Sequence, residues 1–248
     1  MTEIKSTDAC SDAGTRSDAL EFDAFGADRR RFLRGAILGT GAVLATGLGG
    51  CVSIPAVPNV RMPRLGGPAL RSAYRKRVDN GFTLPAVPVS RIDPKYRRQR
   101  VSYDTKQKPG TIIVSTRERL LWLVEPNGTA MRYGIGVGRQ GFSWGGNARI
   151  GWKRAWPTWT PPARMIGREP ELARWRDGMP GGPSNPLGAR ALYLMRGGRD
   201  TLYRIHGSPE WWSIGTRASS GCIRLINQDI IDLYERVEPG ARVVVRQD

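Results

Sequence analysis

Between Gly110 and Gly138 the chain alternates short apolar runs with polar breaks. Thr111-Ile112-Ile113-Val114-Ser115 is a run rich in β-branched residues, and Leu120-Leu121-Trp122-Leu123-Val124 is a second run of strand length. Asn127-Gly128 then supplies a two-residue turn, and Met131 to Gly138 continues as a third strand. The pattern predicts a three-stranded meander. Ala191-Leu192-Tyr193-Leu194, Tyr203-Arg204-Ile205 and Val243-Val244-Val245 predict further strands, and a short one is expected near Val101-Ser102-Tyr103. Over 228–237, Ile231, Tyr234 and Val237 fall at helical spacing. Asn227 is placed to cap that short helix and Gly240 to follow its end. Residues 139–190 carry no clear period and read as a long irregular connection, with Trp156-Pro157-Thr158-Trp159-Thr160-Pro161-Pro162 and a Gly/Pro/Asn stretch at 178–188. The fold class expected is mainly β, with one short helix near the C-terminus.

Upstream the character changes. Residues 52–100 are rich in Pro, Arg and Lys and read as a linker with little regular structure, so the folded body is expected over 101–248. Residues 1–51 read as an address, with a disordered N-terminal segment. Arg29-Arg30-Arg31-Phe32-Leu33-Arg34 resembles a twin-arginine export signal, and a Gly/Ala-rich apolar run follows from Gly35 to Gly50. At about 1.5 Å per residue that run makes a helix shorter than the ~30 Å core of a bilayer, which favours a signal over a permanent span. The alternative is an uncleaved anchor. Leu48-Gly49-Gly50-Cys51 resembles a lipobox, which implies acylation of Cys51 and attachment to a membrane.

Charge sharpens the division. The net charge is +17, yet seven acids against two bases lie in residues 1–28, so the body is strongly basic and suited to polyanionic surroundings. Zinc-finger spacing, an aromatic single-strand signature and a basic recognition helix are all missing, which disfavours nucleic acid. The cysteines are three, at 10, 51 and 222, and there is one histidine, His206. Removal of a signal takes Cys10 and lipidation consumes Cys51, leaving Cys222 as the single thiol. A lone thiol in an exported protein is either inert and buried or reactive. A reactive one needs an imidazole to take its proton, and only His206 can serve.

The segment Ile205 to Leu225 reads IHGSPEWWSIGTRASSGCIRL. His206-Gly207, followed after a gap by Ser219-Ser220-Gly221-Cys222-Ile223-Arg224, resembles the active-site signature of the L,D-transpeptidase catalytic domain, the YkuD family. Two separated motifs occur in the family's order with sixteen residues from His206 to Cys222. The resemblance runs from about Gly110 to Val245. Many members carry His where this chain has Ser220, so a second imidazole is lacking.

The resemblance implies a β-sandwich-like catalytic domain with Cys222 as nucleophile, His206 as general base and the Gly207 backbone carbonyl orienting the imidazole. Backbone N–H groups of Gly221 and Cys222 are placed to hold an oxyanion. Ser219 and Ser220 leave room for substrate close to the main chain. Arg224 either clamps a substrate carboxylate or makes an internal salt bridge. Trp211 and Trp212 either wall the cleft or pack. The activity implied is attack on the third residue of a peptidoglycan stem tetrapeptide, release of D-alanine and transfer of the acyl group to an amine. That amine belongs to another stem peptide, giving a 3–3 cross-link, or to an envelope protein; water in its place gives an L,D-carboxypeptidase. The family also implies acylation by carbapenem-type β-lactams. A non-catalytic wall-binding lipoprotein and a generic cysteine peptidase are the other readings. No cofactor and no metal are expected. The expected location is the periplasm, with membrane attachment through Cys51.

Overall fold

The computed structural model describes residues 67–138, 144–218 and 223–247. The chain divides into a unit at 1–56, outside the described residues, and a unit from Val57 onward, to which everything below refers. The expected signal, lipobox and disordered N-terminal segment, with Cys51, lie outside the described residues, as do Ser219, Ser220, Gly221 and Cys222.

The body is mainly β. A hairpin is formed by β1 (Arg77–Asp79) and β2 (Phe82–Leu84). The large sheet contains β3 (Gln99–Ser102), β4 (Ile112–Ser115), β5 (Leu120–Glu125), β6 (Thr129–Gly134), β7 (Gly136–Gly138) and β8 (Gly146–Ala155). To these it adds β9 (Arg190–Arg196), β10 (Arg199–Ser208), β11 (Arg217–Ala218), β12 (Ile223–Ile226) and β13 (Arg242–Arg246). Helices are α1 (Gly67–Ala73) and α2 (Asn227–Arg236), with a single helical turn at Ala163–Ile166.

The expected meander is β4–β5–β6, antiparallel, with Ile112 opposite Leu123 and Leu121 opposite Tyr133. Asn127 and Gly128 both have positive φ, 61° and 66°, the twist a two-residue hairpin needs. The third run does not continue as one strand. It breaks at the fully buried Ile135, and β7 leaves β5 to pair with β12 and β11. The strand order is β11-β7-β12-β10-β9-β8-β13-β4-β5-β6-β3, so one residue joins strands near opposite ends of the sheet. The sheet therefore folds over on itself. Leu121, Leu123, Met131 and Tyr133 from one half meet Leu192, Leu194, Ile205, Ile223 and Leu225 from the other in one core, closed by Ile230 and Leu233 of α2. This is the sandwich-like arrangement.

Residues 139–190 are not wholly irregular: ten of them form β8, which pairs with β9 and β13. Its period is hidden by a bulge. The register to β9 shifts between Ile150 and Trp152, where a Cβ on Gly151 would strike the Met195 side chain. Ile150 lies in the core, but after the bulge it is Lys153 that points to the α2 side, donating to the carbonyls of Val237 and Tyr234 at 2.7 and 3.1 Å. Trp152 and Arg154 are thereby turned to the opposite face.

The linker expected over 52–100 also needs correction. From Gly67 onward it carries structure, because its apolar residues find partners: Tyr74, Leu84, Val87 and Ile92 are buried. Asp79 forms a doubly hydrogen-bonded ion pair with Arg190 of β9 at 2.8 and 2.9 Å and accepts the Trp156 indole N–H at 2.7 Å. The Tyr74 hydroxyl donates to Asp229 of α2 at 2.9 Å.

Candidate active site

The site is built on the parallel pair β10 and β12, whose partners are Ile205 with Ile223, His206 with Arg224 and Gly207 with Leu225. Ile205, Ile223 and Leu225 face the core, so strand alternation sends His206 and Arg224 to the other face. Cys222 lies outside the described residues. Ile223, the residue bonded to it, pairs with Ile205, the residue bonded to His206.

His206 is only 3% exposed, and its Nδ1 lies 2.7 Å from the carbonyl oxygen of Gly207. A carbonyl only accepts, so Nδ1 carries the proton and donates. In the neutral ring Nε2 then holds the free lone pair. Burial pushes the imidazole down to about 4; the positive charges of Arg224 and Arg204 act in the same direction, and the bond to Gly207 opposes them. Near neutral pH the ring is therefore a neutral base with a fixed tautomer.

The orienting carbonyl is itself held by packing. A Cβ at Gly207 would run into Asn227 Oδ1 and come within 2.9 Å of Ile230 Cγ2, so only glycine lets β10 lie this close to α2. Asn227 does not cap the helix as its position suggested: Ile226 is the N-cap, and Asn227 Oδ1 accepts the Ala189 N–H at 2.9 Å. Gly188, with φ of +60°, approaches the same place: a Cβ there would run into Asn227 Oδ1 and the Gly207 carbonyl carbon.

Arg224 is buried, and its Nη1 donates to Glu210 Oε2 at 2.7 Å. Of the two roles open to it from sequence, the internal ion pair is the one present. Trp211 and Trp212 lie on a single 3₁₀ turn after β10 and make an edge-on pair at 5.8 Å. Trp211 packs into the cluster of Tyr74, Val87, Ile92, Ile214 and Ile226, with Arg91 over its ring at 5.2 Å. Trp212 is 62% exposed and presents its ring to solvent. The structure thus brings His206, Gly207 and Arg224 together and gives the two tryptophans different surroundings. Sequence reasoning missed Glu210, Gly188 and the bridging role of Asn227. Glu210 carries no local signal, whereas a glycine ending the Gly/Pro/Asn stretch two residues before β9 is a mark of positive φ.

Residues 109–245 match the L,D-transpeptidase catalytic domain, YkuD, and with more than half of its length matched the chain belongs to that family. It is 38% identical over 143 residues to a probable L,D-transpeptidase, YbiS, of Escherichia coli strain K12, covering 54% of this chain and 43% of that protein. The chain thus spans about half the length of the curated relatives it matches. Among solved structures, one from Brucella melitensis titled a probable carnitine operon oxidoreductase is 52% identical, covers 62% of this chain and 96% of that one, and has a TM-score of 0.45. L,D-transpeptidase 3 from Mycobacterium tuberculosis is 16% identical, covers 56% and 60%, and has a TM-score of 0.41.

Proposed function

We propose that this chain is a cysteine L,D-transpeptidase acting on peptidoglycan stem peptides. Nε2 of His206 takes the thiol proton of Cys222, and Sγ attacks the carbonyl of stem residue three. The oxyanion is held by the N–H groups of Gly221 and Cys222. As the C–N bond breaks, the imidazolium returns its proton to the departing D-alanine amine and a thioester remains. An acceptor amine then attacks the thioester, His206 removes its proton, and the new amide leaves with the thiol restored. Ser219, Ser220 and Trp212 border the substrate. The reading rests on the His206 Nδ1 bond to the Gly207 carbonyl, which leaves Nε2 as the free base on the strand paired with the one Cys222 leads into.

The same reading makes the protein an envelope enzyme, exported by the twin-arginine route and held at a membrane through acylated Cys51. Its acceptor is a second stem peptide or the amine of an envelope protein. Incubation with tetrapeptide-bearing sacculi, followed by mass spectrometry of the muropeptides, is the test. A 3–3 cross-linked dimer or an amine-linked protein, lost in Cys222→Ala, is expected. Unchanged sacculi with the wild-type protein overturn the reading, and tripeptide alone shows that water is the acceptor.

A further inference from the structure

The face that carries His206 extends across the neighbouring strands. His206 pairs with Ala191 of β9, which pairs with Arg154 of β8, so the three form one row. Two interstrand spacings, about 10 Å, separate the Cα atoms at its ends. The adjacent row on the same face is Arg204, Tyr193 and Trp152. Trp152 and Tyr193 stack at 4.6 Å and 18°, and the Arg204 guanidinium lies 4.4 Å over the Tyr193 ring.

The cations of this region differ in what they hold. Arg204 is gripped by both oxygens of Asp200 at 2.7 Å, Arg224 by Glu210 and Arg190 by Asp79. Arg154 is exposed and has no ion pair among the described residues. The bulge at Gly151 sets the phase that puts it on this face. Between it and the imidazole stands the small Ala191, itself fully buried, so the exposed part of the row is its Arg154 end, beside the half-buried Trp152–Tyr193 wall.

From this geometry we infer that Arg154, backed by the Trp152–Tyr193 stack, is a specificity site that binds one carboxylate of the donor stem peptide next to the bond under attack. The inference rests on the reading of His206 as the catalytic base, and it adds a site for an anionic peptide. A guanidinium at the end of the His206 row, about 10 Å from the His206 Cα, pairs with a carboxylate near the scissile carbonyl, and the flat stack supports the peptide beside it. Three carboxylates qualify by chemistry: that of stem residue two, that on the side chain of residue three, and the terminal one of the leaving D-alanine.

Binding separates this site from catalysis. Affinity for a synthetic tetrapeptide is measured by titration calorimetry in the Cys222→Ala protein, with and without Arg154→Ala, and again with each peptide carboxylate amidated in turn. Loss of one charge-assisted contact is expected to weaken binding about tenfold. Amidation of the one carboxylate concerned should weaken binding to the same degree and bring no further loss when Arg154 is already gone. Arg154→Lys should recover part of the affinity. Equal affinity with and without Arg154, or a loss that no amidation reproduces, overturns the site. Carbapenem acylation of the wild-type chain, expected to be lost in Cys222→Ala, reports on the thiol–imidazole pair separately, so failure of the Arg154 site and failure of the catalytic reading are told apart.

Discussion

His206 and Arg224 are partners across a parallel strand pair, so a buried imidazole and a buried guanidinium share one face of the sheet. The imidazole is held down chiefly by burial and secondarily by the charges of Arg224 and Arg204. Replacing Arg224 by Gln removes one of those charges and leaves Glu210 without its partner. Both changes favour the imidazolium. The pKa of His206 should rise from about 4, and the acid limb of the acylation profile should move with it. There is one histidine in the chain, so an NMR titration reads the value without ambiguity. An unchanged titration in Arg224→Gln would show that the Arg224 charge does not help set it.

Loss of the base has a distinct signature. His206→Ala should abolish acylation by a carbapenem at neutral pH and regain part of it above about pH 8.5, where a free thiol ionises unaided. Intact-mass spectrometry across pH measures the adduct. Full acylation of this variant at pH 7 would refute the pairing of His206 with Cys222.

The same imidazole links stability to pH. Its folded pKa lies below the unfolded value of about 6.5, so the unfolded chain binds the proton more readily. Its contribution is complete above pH 6.5 and is lost as pH falls toward 4, by about 3 kcal/mol over the shift from 6.5 to about 4. Asp229, pushed up to about 7 by burial, acts in the opposite sense and loses stability as pH rises from its unfolded value toward 7. Comparing wild type with His206→Asn cancels the carboxylate, and chemical denaturation at several pH values should show the difference narrowing from pH 7 to pH 4.

Asn227 ties the loop before β9 to the start of α2. Asn227→Ala leaves the buried Ala189 N–H without its acceptor and should destabilise by about 1–3 kcal/mol. It also frees the Gly207 carbonyl from one of its walls, so acylation should slow more than thermal stability alone explains. Gly207→Ala, whose Cβ would collide with Asn227, should be the more damaging of the two. Wild-type rates in both would show that the carbonyl is fixed by something else.

Residues 67–100 belong to the folded body. Breaking the buried pair with Asp79→Ala strands Arg190 and should cost roughly 3–5 kcal/mol. A chain starting at residue 101 should melt well below one starting at 67. Equal melting temperatures would return this stretch to the status of a linker.

Much of this was legible in the sequence where local signals agreed. The meander announced itself through β-branched runs and Asn127-Gly128, and the His206-Gly207 motif fell on the strand that pairs with Ile223–Ile226. The same Asn-Gly signal stands at Asn80-Gly81, with φ of 49° and 82°, but the surrounding arginines and prolines disguised it. Strand β8 was hidden because a bulge at Gly151 breaks its alternation. Asn227 was misread because capping and long-range bridging call for the same residue type, and only the packing of β10 against α2 decides between them. Whether Arg224 faces solvent or Glu210 depends on a loop fourteen residues away, which no local pattern encodes.

The direct passage from β6 to β7 through Ile135 bears on how the body assembles. Any fragment ending near Gly134 keeps the meander but loses the strand beside β12, and any fragment beginning at Gly136 loses the whole meander. Neither piece can shield its apolar surface alone. The body is thus expected to unfold as a single cooperative unit, and a protease nick at this junction should collapse the molecule instead of releasing two stable modules.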